Sequence, residues 1–363
     1  MPLVFVFSYE VISSVDLDRS PIGRKFMKAR VLIGITTLAL VSSVTIATVG
    51  TSSAAVQTRW CSGVNIVGFP GGPQGGAFAV NVYNGMLQAA KDLGPNMKYY
   101  WSNWDPSLMT SQLKEAVAAK PDAIVGIIGL IGDASADPIL AQAYAQGTTV
   151  ANANSQLPIA DAKYNAQGQG FVGAVNYTAG GDLAKETIKR AGLKSGDEAF
   201  VWGLKGAAGD RARRTVGIID ALTAAGIKVD YQEIDQATNT TPTAGTPTFV
   251  GELAAHPAIK AVFIDHGGLT ATAATYMKAA NKAAGSVYVA GFDMSPATAT
   301  AIKSGYLSLV IDQQEYLQGY LPVLNACLTK KYGFSGLNVN TSAGFVDKSN
   351  VAFIAPLANK LIR

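Results

Sequence analysis

From Trp60 onward the chain alternates two hydrophobic patterns. Short runs of four to seven residues are apolar almost throughout, and longer runs repeat apolar positions at helical spacing. The first pattern predicts buried strands and the second amphipathic helices. Strands are expected over 64–69, 99–101, 123–128 and 149–153, separated by helices over 79–93, 107–119 and 139–146. The series then restarts. Strands are expected over 170–175, 198–202, 228–234, 261–264, 287–292 and 307–311, with helices over 179–191, 211–225, 248–255, 270–284 and 296–304 between them. Two such series predict an α/β fold of two doubly wound, parallel-sheet lobes. The Thr/Pro/Gly-rich stretch 236–248, QATNTTPTAGTPT, is expected to be a surface loop.

Ahead of these elements, Met27-Lys28-Ala29-Arg30 supplies a basic start, residues 31–49 an apolar run and Ser53-Ala54-Ala55 a small-residue cleavage site. Together they predict a secretory signal peptide cut near Ala55, with 1–26 an upstream extension. The alternative is a retained membrane anchor. Without residues 1–55 the chain carries 24 Lys/Arg against 22 Asp/Glu, so the exported protein is nearly neutral. It has no basic stripe, and no nucleic-acid partner is expected. Cys61 and Cys327 are an even pair in an exported chain, so they are either a disulfide or two buried thiols.

The candidate chemistry lies at strand ends. Asn152 and Asn154 stand at the end of the fourth strand, Arg214 comes after the strand ending at Trp202, and Asp265 and His266 follow the strand over 261–264. Asp293 follows Gly291-Phe292, and Gln313 follows Ile311. In doubly wound sheets ligands sit at those ends. Planar bidentate groups with nearby aromatic faces suit adjacent hydroxyls and the C–H faces of a sugar. Trp101 and Trp104 lie near the same edge and are candidates to shield the ligand. The loop GFPGGPQGGAF (68–78) lacks both the dinucleotide and the P-loop spacing, and reads as a turn that lets backbone approach a ligand. His256, in AAHPAIK, reads as a helix-ending surface residue. No metal-ligand spacing, nucleophile elbow or carboxylate pair stands out, so no catalytic group, metal or cofactor is expected.

Four blocks in order, GTTVANANSQ, DRARRTVGIIDAL, the pair AVFIDHGG and VAGFD, and IDQQEYLQGY, resemble the type I periplasmic binding proteins of sugar ABC importers, the group around the ribose-binding protein. The resemblance runs from Val64 to Asn350. It implies two lobes joined by three crossings, near 174–176, 313–314 and 340–344, with residues 56–174 plus 314–343 in one lobe and 175–313 plus 344–363 in the other. It further implies a monomer that captures a small sugar in the periplasm and hands it to an ABC permease. A ligand sensor feeding a receptor and an exported α/β enzyme are the alternative readings.

Carried over residue by residue, the resemblance implies ligand contacts from Asn154, Arg214, His266, Asp293 and Gln313, with Phe78 and Phe292 stacking on the sugar. Asn154 stands where the family usually has Asp, and His266 where Asn is common. Gly75-Gly76, Ala77, Ser155 and Gly267 also depart from the pattern, so binding in the manner of the ribose binder is not expected. Arg211 is expected on a solvated helix face, so that replacing it would spare binding while replacing Arg214 or Asp293 would weaken it. The resemblance returns the helix bearing Cys327 to the first lobe, where it would meet Cys61.

Overall fold

The structure, a computed structural model, describes residues 59–342 and 344–363. The expected signal peptide and the extension before it lie outside the described residues. Strands β1 Asn65–Gly71, β2 Asn96–Trp101, β3 Ala123–Gly126, β4 Thr149–Ala153 and β5 Gly170–Gly173 come first. They are followed by β6 Glu198–Gly203, β7 Lys228–Glu233, β8 Ile259–Ile264, β9 Tyr288–Phe292 and β10 Leu309–Asp312, then by β11 Asn338–Asn340 and β12 Gly344–Val346.

These strands form two six-stranded sheets, ordered β11-β5-β4-β3-β1-β2 and β12-β10-β9-β8-β6-β7. All pairings are parallel except β10 with β12. The chain thus winds twice in the same order, and each lobe has its switch point between its first and third strands, where a crevice opens at the carboxyl ends. Every residue of β3, β4, β5 and β10 is buried, because helices cover both faces of a parallel sheet. That is why these strands read as mainly apolar runs, with Thr149, Asn152 and Asp312 the polar exceptions. The chain passes from the first sheet to the second after β5, returns after β10, and crosses again between β11 and β12.

In each lobe two helices cross backbone to backbone at glycines. A Cβ on Gly85 or Gly319 would collide with the facing carbonyl between helices Ala77–Leu93 and Glu315–Tyr332. Gly180 and Gly217 play the same part between helices Asn176–Ala191 and Asp210–Ala224, and Gly180 abuts the carbonyl of Arg214 itself. This close approach seats the arginine-bearing helix beside the first crossing.

The stretch 236–248 is not a loop. It forms a helix Gln236–Thr240, a 3-10 turn Pro242–Gly245, and the first turn of helix Thr246–Ala255. The Asp235 carboxylate caps the first of these by accepting from the Thr238 amide at 2.7 Å. Thr238 and Asn239 are buried, and Tyr276 Oη donates to the Pro242 carbonyl. Tertiary packing therefore overrides a composition that suggests solvent. A further helix, Pro158–Tyr164, had no counterpart in the expected pattern.

Cys61 and Cys327 form a disulfide with Cα atoms 5.6 Å apart, tying the segment before β1 to helix Glu315–Tyr332. The bridge spans a sequence separation of 266 residues, so in the chain-entropy account it contributes up to about 5 kcal/mol. Reduction should therefore lower the urea midpoint of the otherwise unchanged protein. An identical midpoint with and without reductant would contradict this.

Candidate functional site

The carboxyl ends of the two sheets face one another across a cavity of about 200 Å³. Its first-lobe wall is built from Phe78, Trp104, Pro106, Leu130 and Asn154. Phe78 opens helix Ala77–Leu93 and meets Trp104 edge-on, with ring centroids 5.7 Å apart. The glycine-rich loop has a different use from the one expected. Gly71, at φ +94°, and Gly72 lie under the Trp104 indole, where any Cβ would strike the ring. The glycines thus make room for an aromatic wall rather than for ligand. Asn154 follows β4 in the left-handed region, at φ +68°, which asparagine tolerates.

The second-lobe wall holds Arg211, Arg214, His266, Gly267, Asp293 and Gln313. Arg214 is 2% exposed. It donates from Nε to Asn176 Oδ1 at 2.9 Å, from Nη1 to the Asp265 carbonyl at 3.1 Å and from Nη2 to Gln313 Oε1 at 2.7 Å. Three of its five N–H groups are so committed, which leaves two for a ligand. Burial, followed by repulsion from Arg211, lowers its pKa to about 10, and the group stays charged at neutral pH. Gln313 passes the connection on by donating from Nε2 to Asp293 Oδ1. The amide-rich stretch after β10 is therefore a bridge that fixes an arginine and an aspartate side by side.

His266 caps helix Gly267–Ala279 by accepting from the Gly268 amide at Nδ1, 3.2 Å away. Burial first and the Arg211 charge second lower its pKa to about 3. It is neutral at physiological pH, and with Nδ1 accepting, Nε2 carries the proton and is a donor.

Two expected contacts lie off the cavity. Phe292 is fully buried behind it, and its ring supports the Arg214 guanidinium at 4.4 Å. Its aromatic face is covered by the arginine, and the ring is not part of the cavity lining. Trp101 packs against Tyr83 at 5.2 Å and is not part of the lining. Phe78, Trp104, Asn154, Arg214, His266, Asp293 and Gln313 all line it.

The expectation for Arg211 is also overturned. It is 5% exposed, and its Nη1 and Nη2 donate to the two carboxylate oxygens of Asp265, each at 3.1 Å. Residues 211, 214, 215, 218 and 222 form the buried stripe of helix Asp210–Ala224, so spacing of three and four puts Arg211 and Arg214 on one face. Arg213 is the outward one, stacked over Tyr177 at 5.4 Å. Burial pushes the Asp265 carboxyl up, but the Arg211 charge and hydrogen bonds outweigh it and hold the group below its ordinary value.

Residues missed from the sequence also line the cavity, namely Leu204, Gly206 to Ala208, Glu233, Gln236 and Asn239. Glu233 ends β7, so the strand-end rule alone would have found it. Its carboxylate accepts from the Gly206 amide. Gln236 and Asn239 carried no signal, because their stretch read as solvent. Among the described residues, no three cavity-lining carboxylate, imidazole or thiol groups converge on one point.

The lobes touch around the cavity. Trp104 meets His266 edge-on with centroids 6.1 Å apart, and the Gln156 amide donates to Asp210 Oδ2 at 3.0 Å. Asn176 Nδ2 donates to the same carboxylate oxygen at 2.7 Å and to the Asn154 carbonyl at 3.2 Å.

Behind the polar wall, Glu315 is fully buried and its carboxyl oxygens have no hydrogen-bond partner. Burial and the Asp293 charge raise its pKa well above 4.5. A carboxyl raised on folding adds stability that is present below its ordinary pKa and is lost as pH rises through the raised one. Glu315→Gln carries no charge at any pH, so it should be more stable than the parent at about pH 8, with the gap narrowing toward about pH 5. Urea unfolding of both proteins at the two pH values checks this. A gap that does not change with pH would contradict it.

The sequence profile of the periplasmic binding protein domain family matches residues 67–329. The chain is 27% identical over 267 residues to the xylose/arabinose-binding protein XylF of Sulfolobus acidocaldarius, an alignment covering 70% of this chain and 64% of that protein. The chain thus spans less than two thirds of the length of that curated relative. The carbohydrate transporter solute binding protein of Agrobacterium radiobacter, solved in complex with D-arabinose, is similar with a TM-score of 0.67 at 26% identity, covering 83% of this chain and 99% of that one. An ABC transporter solute binding protein from Agrobacterium vitis with bound D-fucose shares the fold at TM-score 0.70 and 21% identity, covering 82% and 99%. With its family profile matched across both lobes, the chain belongs to the periplasmic binding protein domain family.

Proposed function

We propose that the protein binds one small sugar between its lobes and presents it, outside the cytoplasm, to an ABC permease. The observation that carries this reading is the convergence of Arg214, Asp293 and Gln313 from one lobe with Asn154, Phe78 and Trp104 from the other on one small cavity. Free N–H groups of an arginine beside a carboxylate match two neighbouring hydroxyls, and the aromatic wall matches a ring face. The relatives named for pentoses or solved with a sugar favour a monosaccharide. In this reading the protein acts as a monomeric carrier.

Residues 56–174 plus 314–343 and residues 175–313 plus 344–363 move as two bodies about the three crossings. A ligand touching both walls favours the state in which they meet. Small-angle scattering should show a smaller radius of gyration with saturating sugar than without. An unchanged profile at saturation would contradict the closing motion.

A further inference from the structure

On the outer edge of the second lobe, away from the cavity, three side chains meet that the sugar site does not use. Asp230 lies on the edge strand β7, Glu252 in the last turn of helix Thr246–Ala255, and His256 at that helix's C-cap. Their ligand atoms all lie within 4.8 Å of one another. His256 Nε2 is 3.2 Å from Asp230 Oδ2 and 3.9 Å from Glu252 Oε2. Donors bound at about 2.1 Å to a tetrahedral ion stand about 3.4 Å apart, so the trio is already spaced for one.

A second observation points the same way. Asp230 Oδ2 is a buried oxygen with no hydrogen-bond partner, although His256 stands beside it. A second carboxyl, Glu252, has a ligand oxygen within 4.8 Å of that of Asp230. Two carboxylates and one imidazole leave an excess of negative charge that a divalent cation would satisfy.

We propose that Asp230, Glu252 and His256 form a binding site for a divalent transition-metal ion of the zinc class. One imidazole and two carboxylates, three ligands in all, suit such an ion with water completing the shell. Calcium needs six to eight oxygen ligands, which three side chains do not provide. The position gives the ion a task. Between Asp230 and Glu252 the chain makes the excursion through Asp235–Gly245 that carries Gln236 and Asn239 to the cavity wall. An ion joining β7 to the end of helix Thr246–Ala255 clamps the two ends of that excursion.

The test uses the full chain without a histidine tag, stripped with chelator. Calorimetric titration with zinc should show one ion per chain, bound more tightly than calcium or magnesium, and the bound ion should raise the melting temperature. His256→Ala removes a half-exposed side chain and Glu252→Gln keeps the helix. Each should retain the parent circular dichroism spectrum and weaken zinc binding at least about tenfold, the lower end of what even an outer-shell partner contributes. The chain's other histidine, His266, belongs to the cavity, so zinc that survives in His256→Ala would be bound elsewhere. Parent-like binding in His256→Ala, no zinc binding by the parent, or tighter binding of calcium would each overturn the proposal. None of these outcomes bears on sugar capture, which is read separately.

Discussion

Arg211→Ala should lose about 3–5 kcal/mol of folding stability, because it leaves the fully buried Asp265 carboxylate without its partner. Thr215 Oγ1 still donates to that carboxylate, but a hydroxyl does not replace a charge. Arg211→Lys should recover only part of the loss, since an ammonium cannot span both carboxylate oxygens as the guanidinium does. Urea unfolding of the ligand-free protein measures the effect. A loss below about 1 kcal/mol, the value for an exposed ion pair, would mean that Arg211 faces solvent.

The second large effect is on affinity. Asp293→Asn should weaken sugar binding at least about tenfold, since a hydrogen bond to a charged group contributes about 1.5–3 kcal/mol. The apo protein should melt near the parent. Asn tolerates the left-handed backbone that Asp293 adopts at φ +76°, and removing this charge relieves the buried Glu315 beside it. Arg214→Ala should weaken binding too, but it should not spare stability. Its guanidinium holds Asn176, the Asp265 carbonyl and Gln313 together, so Asp293→Asn is the cleaner probe. Parent-like affinity in calorimetric titration of Asp293→Asn would remove the aspartate from the site.

What the sequence made legible was whatever a local pattern determines. The strand 149–153 is legible to the residue, because all five side chains of β4 are buried, with Val150, Ala151 and Ala153 apolar and Thr149 and Asn152 small enough to bury with them. Cavity residues at strand ends were legible for the same reason: Asn154, Asp293 and Gln313 each follow directly on an apolar strand. The helix register is also present in the sequence. Arg211, Arg214 and Ile218 lie at spacings of three and four, which places both arginines on the buried stripe.

Other features depend on distant parts of the chain. The stretch 236–248 folds because Tyr276 and Trp202 pack against it, and neither partner can be inferred from its Thr- and Pro-rich composition. Phe78 and Phe292 carry the same ring, one in the first turn of a helix and the other at the end of β9. Only the folded chain shows that one faces the cavity and the other lies beneath an arginine. The Glu252–His256 spacing is local, but Asp230 joins it through the pairing of an edge strand with its sheet.

Sugar capture is tested most directly by calorimetric titration of the parent protein with a panel of monosaccharides that includes D-arabinose, D-xylose and D-fucose, with the mixture assayed for product afterward. The expected result is saturable binding of one sugar per chain, lost or sharply weakened in Asp293→Asn, with the sugar recovered unchanged. Turnover of the sugar, or binding that Asp293→Asn leaves untouched, would contradict it.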